Sequence, residues 1–159
     1  MRFVFYLIVL GVFASCALKK QSIVLNSQLH HFHCGGVPPS EEMIKGYDTP
    51  NNMDVIIAGN KDSMVLKIAG TRKVKLKKGV YHWYQGDKAK ETSDLLESLE
   101  KELDTNYVIE GADCINEWKL NKDGAFTVSE KSDTIYLTLE YKCYTGTLPC
   151  VKYTGPKYQ

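Results

Sequence analysis

The sequence predicts a mainly-β domain, an antiparallel β-sandwich interrupted by one amphipathic helix. Three observations lead there. Short apolar segments recur at near-regular spacing between turn residues, the pattern of an all-β sandwich. TIYLTLEY (134–141) alternates strictly, with Ile135, Leu137, Leu139 and Tyr141 on one face and Tyr136, Thr138 and Glu140 on the other. The period then changes in KETSDLLESLEKELD, where Leu95, Leu99 and Leu103 fall four residues apart with Leu96 alongside, which is a helical stripe.

The elements follow in order. Residues 35–52 hold Gly, Pro-Pro and Asn-Asn and read as a loop, with one helical turn starting at Ser40, an N-cap before Glu41 and Glu42. MDVIIAG from Met53 is β-branched enough for a buried strand, and SMVLKIAG from Ser63 puts Met64, Leu66 and Ile68 on one face. The NKD between them supplies turn chemistry. In TRKVKLKKGVYHWYQ, Val74 and Leu76 face inward while Lys73, Lys75 and Lys77 face water, and Gly79 turns the chain into VYHWY. The helix is expected near 91–104, capped by Ser93 or Asp94 with Glu97 completing a box, and its narrow apolar stripe suits a cover on a sheet. CINEWKL reads as a helical turn or irregular chain. Asp123-Gly124 turns into a further strand, and the tail from Cys143 is punctuated by Gly and Pro. The total is six or seven strands.

Of the 159 residues, 43% are hydrophobic and 25% charged, and the net charge is +1. That balance suits a single globular domain and offers no basic excess for nucleic acid. Arg2 followed by an apolar run from Phe3 to Phe13 is shorter than the roughly 20 residues a bilayer span needs, and fits the h-region of a signal peptide. FASC (13–16) resembles the lipobox of bacterial lipoproteins, with Phe13 in place of the usual Leu. The resemblance implies that Cys16 is lipidated and becomes the mature N-terminus. Plain secretion, with cleavage near Ala14 to Ala17, is the alternative. The expected organisation is a signal peptide at 1–15, lipidated Cys16 and a tether at 16–30, and the sandwich domain at 31–159.

Four cysteines remain: Cys34, Cys114, Cys143 and Cys150. An even number in an exported chain favours two disulfides, and three pairings are open. Cys143 with Cys150 would close a local loop across YTGTLP and leave Cys34 with Cys114, while strand geometry can equally give a crossed arrangement. His30, His31 and His33 beside Cys34 offer imidazoles for zinc or copper. However, a disulfide sulfur is a poor ligand and the spacing matches no fixed coordination geometry, so strand-edge or tether residues are the expectation. Tyr81 and Trp83 project from one strand face. They are either an exposed pair able to stack on sugar rings or part of the core. The Lys73, Lys75, Lys77 and Lys78 stripe is expected to be a solvated face, although it is also able to meet anionic headgroups.

GTRKVKLKKGVY (70–81) resembles the hairpin signature of transthyretin-like, carboxypeptidase-regulatory-like domains, with Gly70, Val74, Leu76, Gly79 and Tyr81 in place. Lys67 and Arg72 depart from that pattern, standing where an acidic and an aromatic residue are common. With HCGGVPPSEE, CINEW and a late C…PC…YTGP, the chain is similar to small exported bacterial proteins of unknown function that carry this sandwich. The resemblance covers residues 31–156. It implies a Greek-key sandwich and export, and it brings no catalytic residues.

Gly-x-Ser-x-Gly, HExxH, P-loop and dinucleotide motifs are missing from the sequence, and His82 reads as a packed or edge histidine. The expectation is therefore a non-catalytic outer-membrane lipoprotein, facing the periplasm or the surface and needing no cofactor. Its partners would be the membrane, through the anchor, and another envelope protein.

Overall fold

The computed structural model describes residues 20–35, 40–59 and 63–156; the expected signal peptide and Cys16 lie outside the described residues. The elements are β1 (Gln21–His31), α1 (Glu41–Lys45), β2 (Tyr47–Pro50), β3 (Asn52–Ala58), β4 (Ser63–Ala69), β5 (Thr71–Leu76), β6 (Gly79–Gln85), α2 (Thr92–Glu102), β7 (Tyr107–Ile109), α3 (Ala112–Leu120), β8 (Gly124–Val128), β9 (Thr134–Tyr141) and β10 (Val151–Tyr153), with a 3₁₀ turn at Gly86–Ala89.

β1 organises the first sheet. β5 and β2 pair antiparallel with it, one after the other along one edge, and β9 runs parallel along the other. Where β5 gives way to β2, the ladder is carried across by three bonds: Ser27 N–H donates to the Gly70 carbonyl (2.7 Å), Asn51 N–H to the Ser27 carbonyl (2.9 Å) and Gly70 N–H to the Asn51 carbonyl (3.1 Å). Gly70 does this at φ +68°, a left-handed conformation that costs glycine little. The second sheet is a wholly antiparallel β4-β3-β6-β8. Inward residues of both sheets form one core: Ile23 and Leu25 from β1, Val55 and Ile57 from β3, Ile68, Val74, Leu76, Trp83, Val128, Leu137 and Leu139. The alternation read in β5 and β9 is thus met at Val74, Leu76, Ile135, Leu137 and Leu139, whereas Tyr141 at the end of β9 is exposed.

Three expectations are corrected. Residues 21–30 are not tether; they are most of the central strand, so the domain begins ten residues earlier than position 31. Polar residues hide that strand in the sequence. Ser27 occupies an inward position at 2% exposure, and the outward Asn26 and Gln28 are held by side-chain bonds from Thr71 (2.9 Å) and to Thr138 (3.0 Å). The helical turn after Ser40 forms, its hydroxyl accepting from Met43 N–H at 3.3 Å, but residues 47–50 pair as β2 where a loop was expected. The pairing is also not purely antiparallel, since β1 and β9 run the same way; more than a hundred residues separate them, so no tight turn constrains their direction.

The expected single helix is a pair. Between β6 and its partner β8 the chain inserts α2 and α3, and β7 pairs with β10 from the tail. Leu95, Leu99, Ile115, Trp118 and Cys150 form a second, small core, joined by Leu96, Leu103 and Ile109. α2 starts at Thr92, ahead of the caps expected at Ser93 and Asp94, and its N-cap Glu91 makes no side-chain cap bond. CINEWKL is helical because Ile115 and Trp118, three apart, both reach this core.

One buried cation fastens the insertion to the sheet. The side chain of Lys88 is 2% exposed; its ammonium pairs with Asp123 (2.9 Å), donates to the Asn121 carbonyl (2.5 Å) and lies over the Trp118 ring (4.9 Å). Asp123 also accepts from Gln85 N–H at 2.7 Å. Both ends of the insertion therefore meet in one satisfied network, which makes the buried charge tolerable.

Candidate binding cleft

A cleft of about 440 Å³ opens at one end of the molecule, where the two sheets part. Leu29, Leu139 and Tyr141 form one wall, from the C-terminal ends of β1 and β9. Asn51 to Asp54 at the start of β3, Lys67 on β4 and Gln85 to Asp87 at the end of β6 form the other, and Thr147 borders the mouth. Asp54 stands opposite Lys67 in the β3–β4 ladder. Gly86 permits this construction: a Cβ there would lie 2.8 Å from the Asp54 carbonyl, so any larger residue would force the 3₁₀ turn off β3. Asp87 pairs with Lys90 at 2.7 Å. Its hydrogen bond and charge hold the Lys90 ammonium above its ordinary 10.5, with smaller help from Glu102 and Asp54 and against a small burial effect, so Lys90 stays cationic across the neutral range. On the lysine side, the stability linked to this raised value is lost as pH rises through it.

An aromatic rim continues the first wall. His31 lies between Tyr47 (ring centroids 5.0 Å apart, nearly parallel) and Tyr141 (4.9 Å). Its Nε2 is 2.8 Å from the Thr49 hydroxyl. Just beyond, Cys34 is bonded to Cys143, with Cα atoms 5.3 Å apart. These residues follow the adjacent strands β1 and β9, so the bridge staples the wall at its open end. Cys114 is bonded to Cys150, Cα atoms 5.7 Å apart, tying α3 to the tail in the second core. Of the pairings the sequence left open, the crossed arrangement is present, and the local Cys143–Cys150 bridge with Cys34 to Cys114 is not. The reason is topological: parallel pairing of β1 with β9 sets Cys34 beside Cys143. Two disulfides fit an oxidising compartment. Among the described residues no helix is long and apolar enough to cross a membrane.

The sequence-nominated ligands are dispersed. His30 points to the outer face, where Nδ1 is 2.8 Å from Asp48; His31 points inward into the aromatic stack; His33 lies past the strand end. Among the described residues no group of three or more His, Cys, Asp or Glu is placed to hold a metal ion. Of the two readings of Tyr81 and Trp83, the core one is met and the exposed pair is corrected. Trp83 is a core residue at 4% exposure, and Tyr81 stacks on Phe126 (5.5 Å) while its hydroxyl donates to the Lys77 carbonyl (2.9 Å). Among the described residues the exposed aromatics are instead Tyr47 (64% exposed), Tyr136 (62%), Phe32 (39%) and Tyr141 (39%). Sequence reasoning missed Asn51, Asp54, Lys67 and Asp87. Asp54 interrupting an otherwise apolar MDVII was the available signal.

The sheet edges differ in how they are guarded. β2 is four residues and ends in Pro50; β5 carries Arg72, Lys73 and Lys75; β8 is five residues and begins with glycine; and on β4 the Lys67 carbonyl is taken by Arg72 at 2.6 Å. β9 has eight residues, a single charge at Glu140, and no Lys, Pro or Gly. Val24 N–H donates to the Asp133 carbonyl at 2.8 Å, which sets the parity: Thr134, Tyr136, Thr138 and Glu140 turn their backbone groups to the open edge. Among the described residues nothing pairs with that edge.

No family model matches this chain, and neither a curated protein nor a solved structure matches it.

Proposed function

We propose that the protein is an exported, non-catalytic binding or accessory module of the cell envelope, held at the outer membrane by lipid on Cys16, whose disulfide-braced domain is a transthyretin-like Greek-key sandwich. Its partner is another envelope protein, which adds an extended segment to β9 and reaches into the cleft. One observation supports this reading above the others: the longest edge strand among the described residues, β9, is unguarded, and its C-terminal residues Leu139 and Tyr141 line the cleft. Proteins ordinarily blunt such edges, because a row of free N–H and C=O groups recruits another strand. Where the edge is kept, strand addition supplies affinity through the backbone and neighbouring pockets supply specificity. Tyr136, exposed on the outer face, adds an aromatic anchor of the kind that dominates interfaces.

The test is photo-crosslinking in intact envelopes, with a photoreactive residue at Tyr136 or, as control, at the exposed Val65 on β4. A discrete adduct at 136 and not at 65 is expected. Thr138→Pro should abolish it, since the proline removes an N–H that faces the edge while leaving the β1 pairing intact. Equal labelling at both positions, or an adduct indifferent to the proline, would count against the reading. An adduct to a second copy of this chain would replace the envelope partner by self-association.

A further inference from the structure

We infer that the end of the domain opposite the cleft is a docking surface for anionic phospholipid headgroups. This rests on the lipid anchor proposed above and adds an orientation to it. β1 sets the geometry. Its first residues pair with the end of β5, Gln21 opposite Leu76, Ser22 opposite Lys75 and Val24 opposite Lys73; its last residue, His31, lies beside Tyr141 and the cleft mouth. Eleven residues of strand separate the two ends by about 33 Å.

The charges are distributed unevenly along this axis. Lys20, Lys73, Lys75, Lys77, Lys78 and Lys131 are all exposed at or near the β1 start. The turns that carry them are joined there: Gln21 donates to the Glu130 carbonyl at 2.8 Å, and Lys78 pairs with the Glu130 carboxylate. Glu130 and Asp133 are the acidic residues of the same turns, so six lysines face two carboxylates. The whole chain carries only +1, so the remainder is net acidic. Such a distribution gives no general attraction to polyanions but a directed one. Each basic residue near an anionic leaflet contributes about 1 kcal/mol of attraction, or roughly fivefold in partition, within a Debye length of the surface. Only four residues, 17–20, lie between Cys16 and β1, a reach of at most about 14 Å. A lipid on Cys16 would therefore hold this lysine end at the headgroups and present the cleft outward.

The experiment uses the full chain isolated from native envelopes, bound to vesicles of pure phosphatidylcholine or of phosphatidylcholine with phosphatidylglycerol, and followed by amide hydrogen exchange. Segments 77–79 and 129–133 should exchange about fivefold or more slowly on the anionic vesicles. That difference should vanish in high salt and in a K73Q/K75Q/K77Q variant, while the cleft residues 51–54 exchange alike on both vesicles. Equal exchange of the lysine end on both vesicle types would overturn the inference, as would protection by soluble polygalacturonate without protection by anionic vesicles. Intact mass of the same sample separates the two proposals. Protein lacking diacylglycerol on Cys16 refutes the anchor whatever the exchange shows, and acylated protein without the difference refutes the docking surface alone.

Discussion

Replacing Cys34 and Cys143 together by serine is expected to lower the unfolding free energy by about 4 to 5 kcal/mol. The bridge closes a separation of 109 residues, and the chain entropy released in the unfolded state grows with the length of the closed loop, about 4.7 kcal/mol for a 100-residue loop. Serine for Cys114 and Cys150, 36 residues apart, should cost roughly 1 kcal/mol less on the same account. The local consequences differ more than the totals. The first bridge staples β1 to β9 at the cleft, so its loss should speed hydrogen exchange at residues 139–143. The second lies in the small core with Leu95, Leu99 and Trp118, so its loss should loosen α3 and β10 first. Urea titration of the two double variants measures the totals; losses under about 1 kcal/mol for both would contradict the account.

Trp83→Ala should cost about 4 kcal/mol, the usual cost of removing a large buried aromatic. Trp83 sits across from Ile57 on β3 and from Gly124 on β8, at 4% exposure. Gly124 makes room for it: a Cβ at that position would come within 3.1 Å of the indole Cε2. The expected cost includes both the lost burial of the indole and the cavity it leaves. Trp83→Phe should lose less than half as much, and Gly124→Ala should also destabilise although it adds only a methyl group, because overpacking forces the indole from its rotamer. Urea unfolding midpoints for the three variants test this. A Trp83→Ala loss below about 1 kcal/mol would mean that the side chain is not packed as described.

The contrast between β9 and β1 explains what could be read in advance. In β9 the inward positions are Ile135, Leu137 and Leu139 and the outward ones Tyr136, Thr138 and Glu140, so the period of two is written in the residue types. In β1 the inward positions run Ile23, Leu25, Ser27, Leu29 and His31, and the outward ones include Val24. Polarity no longer separates the faces, because Ser27 lies beneath the β2–β5 junction and His31 is satisfied by stacked rings and Thr49. The helix at 92–102 was legible because Leu95 and Leu99 share a face; that at 112–120 was not, because two apolar residues three apart fit several conformations. Disulfide pairing depends on which strands lie together, which is a property of topology and not of spacing. The cleft is harder still. Its lining comes from the ends of five strands and a 3₁₀ turn, so no contiguous segment carries its signature.

The cysteines are joined in a crossed pattern, Cys34 to Cys143 beyond β1 and β9 and Cys114 of α3 to Cys150 of the tail. Peptide mapping of envelope-purified protein, digested without reduction after free thiols are blocked, tests this pattern directly. The account predicts Cys34 linked to Cys143 and Cys114 linked to Cys150, with no blocked thiol at any of the four. Cysteines recovered in the blocked, reduced form, or Cys143 linked to Cys150, would contradict it.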